Sequence, residues 1–187
     1  MTSTVQRIAD ASLPARAVAV ILGSLLLWTS AKVQVPFWPV PMTLQTYVVS
    51  IVGALLGWRL GGATVAAYLV EGAVGLPVFA GTPANGIGLA YMVGPTGGYL
   101  AGYLVAVMLV GYLAAQRRNR SMLGTAAILL IGEIAILGFG TGWLAIQLGW
   151  PKAVALGLGP FLVGDALKLA LATITVTYYD RLTASEA

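Results

Sequence analysis

Long apolar stretches, separated by short polar, glycine-rich or proline-rich segments, dominate the sequence. A helix needs about 20 apolar residues to cross the hydrocarbon core of a bilayer. The pattern predicts six membrane spans, at about 14–31, 42–57, 63–76, 97–115, 122–148 and 153–179. It therefore predicts an all-α integral membrane protein, a six-transmembrane-helix bundle in which residues 1–187 form one membrane domain and 1–13 a short cytoplasmic arm.

The segments between the spans are unusual. Three prolines at 36–41 predict a stiff loop after the first span, because proline cannot continue a regular helix. The segment 78–96 is too apolar for a solvated loop, so we expect it to fold back onto the bundle. The fifth span is longer than needed, so either a tilt or a break near 138–142 is expected, and a kink is expected near 159–160 in the sixth.

Composition agrees with a membrane protein. Apolar residues make up 59% of the chain and charged residues 9%, whereas about 25% of a soluble domain is charged. The chain contains no cysteine and no histidine, which excludes disulfides, thiolate metal sites and histidine-based catalysis. We therefore expect no metal, no cofactor and no enzymatic activity. The basic residues are too scattered to indicate nucleic-acid binding.

The basic residues predict the orientation. Cytoplasmic segments of membrane proteins carry an excess of lysine and arginine. With six spans, only Lys32 and Lys152 lie on one side of the membrane. The other side carries Arg7, Arg16, Arg59, Arg117, Arg118, Arg120 and Arg181. Both termini are therefore predicted to be cytoplasmic, with the 32–41 and 78–96 segments outside.

Charged residues inside the spans are the main candidates for function. Asp165 and Lys168 lie three apart in the sixth span, so they share one helix face. Charges within a membrane are costly and usually mark a ligand or ion path, although an ion pair that only joins helices is the alternative. Glu71 and Glu133 also lie within spans, and either could pair with Lys168 or be protonated.

Other residues supply weaker signals. Gln45 opens the second span and could contact a ligand or only cap the helix. Aromatic residues such as Tyr91 and Trp143 could wall a pocket. Small residues recur every fourth position on the first helix, which suits a partner helix or internal packing equally well. These residues are Ala15, Ala19 and Gly23.

Five motifs together resemble the BioY family, the biotin-binding S components of energy-coupling factor (ECF) transporters. They follow the family's order and cover most of the chain. They are PMTLQT at 41–46, GLPVFAG at 75–81, GPTGGYL at 94–100, GTGWL at 140–144 and GDALK at 164–168.

The resemblance implies a bundle of the ECF S-component type with a pocket that opens outward, in a prokaryotic cell membrane. It implies that Asp165 and Lys168 help to hold biotin. It also implies that the Ala15–Ala19 stripe meets a transmembrane coupling subunit. That subunit joins two ATPases, and the S component itself hydrolyses nothing.

Biotin needs an apolar wall, hydrogen-bond partners for its ureido group and a cation for its carboxylate, since burying an unpaired charge is costly. Asp165, Gln45 and Asn85 could bond the ureido group. Lys168 could pair with the carboxylate, although the roles of Asp165 and Lys168 could be exchanged. The alternative is a stand-alone proton-coupled carrier for biotin or a related molecule, in which Glu71, Glu133 and Asp165 relay protons.

Overall fold

The structure is a computed structural model that describes residues 12–116 and 121–185. Arg7 and the arginines of the 117–120 segment lie outside the described residues. The described helices are α1 Leu13–Lys32, α2 Gln45–Ala73, α3 Gly88–Met92, α4 Gly97–Gln116, α5 Met122–Leu148, α6 Trp150–Gly157 and α7 Phe161–Ser185. Two short strands are β1 Gln34–Val35 and β2 Met42–Thr43. Five of these helices, α1, α2, α4, α5 and α7, are long and apolar enough to cross a membrane.

The second and third predicted spans both lie in α2, which reverses direction at Gly57. Gly57 has φ 75° and ψ 177°, a conformation that glycine adopts readily and other residues do not. Beyond it the chain folds back, so that a methyl group on Gly61 would lie 3.3 Å from the Val52 carbonyl oxygen. The two halves of α2 therefore form a helical hairpin. With α1, α4, α5 and α7, they supply the six predicted segments of an all-α bundle.

Three predicted boundaries differ from the structure. α5 is one continuous helix, so the break expected near 138–142 is absent. The sixth predicted span is divided, because α6 ends at Gly157 and α7 begins only at Phe161. Pro160 lies in this gap, where it lacks the N–H needed to continue a helix. The third span ends at Ala73 rather than 76, and Gly75 follows with φ 98°.

The two segments expected on the outer side of the membrane, 32–41 and 78–96, both pack against the bundle. β1 and β2 form an antiparallel pair around the prolines, with Gln34 opposite Thr43 and Val35 opposite Met42. Val78, Phe79 and Ala80 are buried in the bundle, which confirms that the segment after α2 folds back.

Glycines allow α4 to approach both of its neighbours. A methyl group on Gly111 would overlap the backbone at the turn of α2, and one on Gly102 would lie 2.9 Å from the Ile136 Cα atom on α5. Small residues at helix crossings are typical of membrane bundles, where close packing replaces the hydrophobic effect. α4 therefore sits between α2 and α5 and holds the centre of the bundle.

Candidate ligand-binding site

A small closed cavity lies at the end of the bundle where α2, α4 and α7 begin. Its polar lining includes Gln45 at the start of α2 and Asp165 and Lys168 on α7. Pro41, between β1 and β2, and Ala80 of the segment that folds back after α2 also line the cavity. Its volume is only about 20 Å³, which holds roughly one water molecule. The structure thus brings together three residues that the sequence analysis selected.

Asp165 and Lys168 form an ion pair at this cavity, as helical spacing predicts. The Lys168 ammonium contacts the Asp165 carboxylate and donates a hydrogen bond to the Thr43 carbonyl oxygen at 3.0 Å. Only 3% of Asp165 is exposed. A methyl group on Gly164 would overlap the Met42 sulfur, so glycine there allows α7 to pack against β2. The pair consequently joins α7 to the residue that follows the proline loop.

Polar atoms around the ion pair lack protein partners. Apart from the Lys168 contact, neither Asp165 carboxylate oxygen makes a hydrogen bond to the described residues, and neither does the Thr46 hydroxyl. One carboxyl oxygen of Glu133, a residue of α5 that is 5% exposed, also lacks a hydrogen-bond partner among the described residues. Buried polar groups usually have hydrogen-bond partners, so this cluster is suited to a ligand that carries its own polar groups.

Gln45 is held on two sides. Its Nε2 atom donates to the Tyr68 hydroxyl at 2.8 Å, and its Oε1 atom accepts from the Thr43 hydroxyl at 3.2 Å. The Thr43 hydroxyl also accepts from the backbone N–H of Gln45, the first residue of α2, at 3.3 Å. Gln45 therefore borders the cavity with its amide already fixed.

Aromatic residues that the sequence analysis did not select form the apolar wall. Tyr99 and Tyr103 line the cavity from α4, and Phe161 lines it from α7. The Phe161 and Tyr99 rings stack, with centroids 5.9 Å apart. Helical spacing was the sequence signal that could have found them. Tyr99 and Tyr103 are four residues apart, as are Phe161 and Asp165, so each pair shares one helix face.

Comparison with known proteins identifies the family. The sequence matches the BioY family over residues 2–185. The chain belongs to the BioY family. It is 39% identical over 145 residues to the probable biotin transporter BioY of Pyrococcus horikoshii, covering 77% of this chain and 83% of that protein. It is 34% identical over 158 residues to the biotin transporter BioY of Thermotoga maritima, covering 84% and 90%.

A solved structure shares the fold of this family member. It is the crystal structure of the S-component for biotin from an ECF-type ABC transporter. The two superpose with a TM-score of 0.76 at 25% sequence identity, covering 92% of this chain and 95% of the other. The bundle is therefore of the S-component type, as the resemblance implied.

Two candidate residues of this BioY family member lie away from the cavity. Glu71 accepts a hydrogen bond from the Ser24 hydroxyl at 2.9 Å, which ties α2 to α1. The Trp143 indole N–H donates to the Gly94 carbonyl oxygen at 2.9 Å and fixes the turn before α4. Trp143 also lines a separate apolar groove between α4 and α5. Contact of Glu71 and Trp143 with a ligand stays a prediction, and their positions away from the cavity do not favour it.

Asn85 and Tyr91 belong to the segment that folds back beside the cavity. Asn85 is exposed, and its backbone N–H donates to the Gly81 carbonyl oxygen at 3.0 Å. Tyr91 is buried and stacks on Phe79, with ring centroids 4.8 Å apart. Burial raises the pKa of the Tyr91 hydroxyl, which makes no hydrogen bond to the described residues. Neither residue lines the cavity directly.

Proposed function

We propose that this chain is the substrate-capture subunit of an ECF-type transporter and that it binds biotin in the cavity beside α7. The observation that carries the proposal is the buried Asp165–Lys168 pair, with unpartnered polar atoms around it, in a member of the BioY family. A buried cation, free acceptors and an aromatic wall are the groups that biotin requires.

The cavity supports binding at both polar ends of biotin. Lys168 is the cation nearest the cavity and can pair with the carboxylate, while Asp165 and Gln45 can accept from the ureido N–H groups. The wall of Tyr99 and Phe161 suits the thiophane ring and the aliphatic chain. Asn85 and Tyr91 join the site if the folded-back segment moves when biotin binds.

Binding requires the cavity to enlarge. Sites for small molecules have volumes of about 300–1,000 Å³, far above the volume of this closed cavity. Two parts of the chain cover the cavity: the β1–β2 hairpin, through Val40 and Pro41, and the segment that folds back after α2, through Ala80. Movement of one or both of these covers therefore accompanies binding in this proposal.

The proposed coupling surface is the exposed side of α1. Ala15 is exposed and Ala19 is half-buried, so both can meet the transmembrane coupling subunit that joins two ATPases. Gly23 differs, because a methyl group there would lie 2.5 Å from the Thr64 Cγ2 atom. Gly23 thus packs α1 against α2, and the proposed partner contact rests on the two alanines.

The distribution of charge supports the proposed orientation in the membrane. Lys32 donates to the Pro77 and Phe79 carbonyl oxygens, which places it at the cavity end of α1. Arg59 follows the turn of α2 at the opposite end, and Arg181 lies about 24 Å along α7 from Asp165. By the positive-inside rule, the arginine end and both termini are cytoplasmic and the cavity faces outward.

A stand-alone proton-coupled carrier is the second candidate. The observation that favours it is the presence of two buried carboxyl groups, Glu133 and Asp165, which could pass a proton inside the bundle. Biotin uptake into proteoliposomes distinguishes the two functions. The capture subunit should give uptake only with the coupling subunit, both ATPases and ATP. Uptake by the chain alone under a proton gradient would contradict the proposal.

A further inference from the structure

Tyr68 connects the cavity to the segment that covers it. It is fully buried in the second half of the α2 hairpin and does not line the cavity. Its hydroxyl accepts from the Gln45 Nε2 atom at 2.8 Å and donates to the Val78 carbonyl oxygen at 3.1 Å. The Tyr68 hydroxyl thus stands between a cavity residue and the backbone of the covering segment.

The direction of these hydrogen bonds determines which way the Gln45 amide points. A carbonyl oxygen can only accept, so the Tyr68 proton goes to Val78. Tyr68 can then only accept from Gln45, and the atom facing it must be the NH₂ nitrogen. The Gln45 oxygen therefore faces the opposite way, where the Thr43 hydroxyl occupies one of its two acceptor positions.

We propose that Tyr68 is a positioning residue that fixes Gln45 as a hydrogen-bond acceptor toward the ligand. This inference rests on the proposed function. Ionised biotin has N–H donors only in its ureido group, so an acceptor at Gln45 assigns the ureido end to the start of α2. Without Tyr68 the amide can rotate and present its NH₂ group, which the ureido N–H groups cannot use.

The packing around Tyr68 makes the hydroxyl separable from the ring. Phe79 contacts the Tyr68 ring edge-on, with centroids 5.5 Å apart and planes at 83°. Tyr68→Phe keeps this contact and removes only the hydroxyl. Tyr47→Phe is the matched control, because Tyr47 also lies on α2 and its hydroxyl bonds the Thr175 hydroxyl at 3.1 Å without lining the cavity.

The experiment is a double-mutant cycle on biotin affinity in purified full-length protein. Tyr68→Phe should raise the Kd roughly 3- to 10-fold, the range expected for one hydrogen bond, while Tyr47→Phe leaves it unchanged. Gln45→Ala should raise it at least as much, and adding Tyr68→Phe to Gln45→Ala should have no further effect. Additive effects, or a wild-type Kd for Tyr68→Phe, would overturn the inference.

Two further measurements separate positioning from a structural role. Biotin methylated on its ureido nitrogens lacks the donors, so its Kd should change little in Tyr68→Phe. If that variant does not fold, Thr43→Val loosens the same amide from the other side, and its effect on the biotin Kd should be smaller on the Gln45→Ala background. Wild-type protein that binds no biotin would refute the proposed function and this inference together. Biotin binding that is insensitive to Gln45→Ala would refute the inference alone.

Discussion

Replacing Lys168 with alanine is expected to weaken biotin binding sharply. The ammonium of Lys168 contacts Asp165 and bonds the Thr43 carbonyl, and its side chain is only 12% exposed. Truncating one partner of such a charge pair costs about 2–5 kcal/mol of binding free energy. That corresponds to a rise in Kd of roughly 30- to 4,000-fold. Biotin amide has no carboxylate and should therefore lose less affinity than biotin.

Part of the effect should appear as lost stability, because Asp165 is left as a buried charge. Breaking a buried pair costs about 3–5 kcal/mol of folding free energy. Adding Asp165→Asn removes the stranded charge and should restore much of that stability. Thermal unfolding and calorimetric titration of each variant separate the two effects.

Lys152→Ala is the matched control, since Lys152 is an exposed lysine outside the cavity. It should leave both affinity and stability unchanged. If Lys168→Ala bound biotin and biotin amide with wild-type affinity, the assignment of the site to this ion pair would be wrong.

Three other predictions concern packing, orientation and coupling. Gly98→Ala should destabilise the protein by about 1–3 kcal/mol, because the methyl group would overlap α5, whereas Gly142→Ala meets open space and should not lower the unfolding temperature in detergent. In this cysteine-free chain, Ala84→Cys should react with a membrane-impermeant thiol reagent from outside and Ser121→Cys should not; the reverse pattern would refute the orientation. Ala19→Trp should abolish copurification with the coupling subunit and uptake while biotin affinity stays near wild type, and undiminished uptake would exclude a partner contact there.

The bundle was largely predictable because hydrophobic length and helix-breaking residues are local signals. The reversal at Gly57 coincides with the predicted end of the second span at 57, where the apolar run stops at a glycine followed by Trp58 and Arg59. The stretch 138–142 was ambiguous in sequence, because glycines there did not show whether the helix would break, and they remain within one continuous helix. At Gly159 and Pro160 the effect is larger than the expected kink, because α6 and α7 are two separate helices.

The candidate site was predictable only where chemistry and helical spacing coincided. Asp165 and Lys168 share a face of one helix, so their pairing followed from local geometry. Gln45 lines the same cavity because β1 and β2, with the prolines between them, place the start of α2 there. Trp143 and Glu71 were also candidates in sequence, but their side chains bond Gly94 and Ser24 through long-range packing. Tyr68 carried no such signal, because its role depends on the α2 hairpin and on the backbone of Val78.

The most direct test of the central claim is a binding titration of the purified protein with biotin, with riboflavin and thiamine as competing vitamins. Saturable binding of biotin at one site per chain is expected, with neither riboflavin nor thiamine displacing it. The Lys168→Ala variant should require far more biotin for saturation. Tight binding of riboflavin or thiamine, or no saturable binding of biotin by folded protein, would contradict the account.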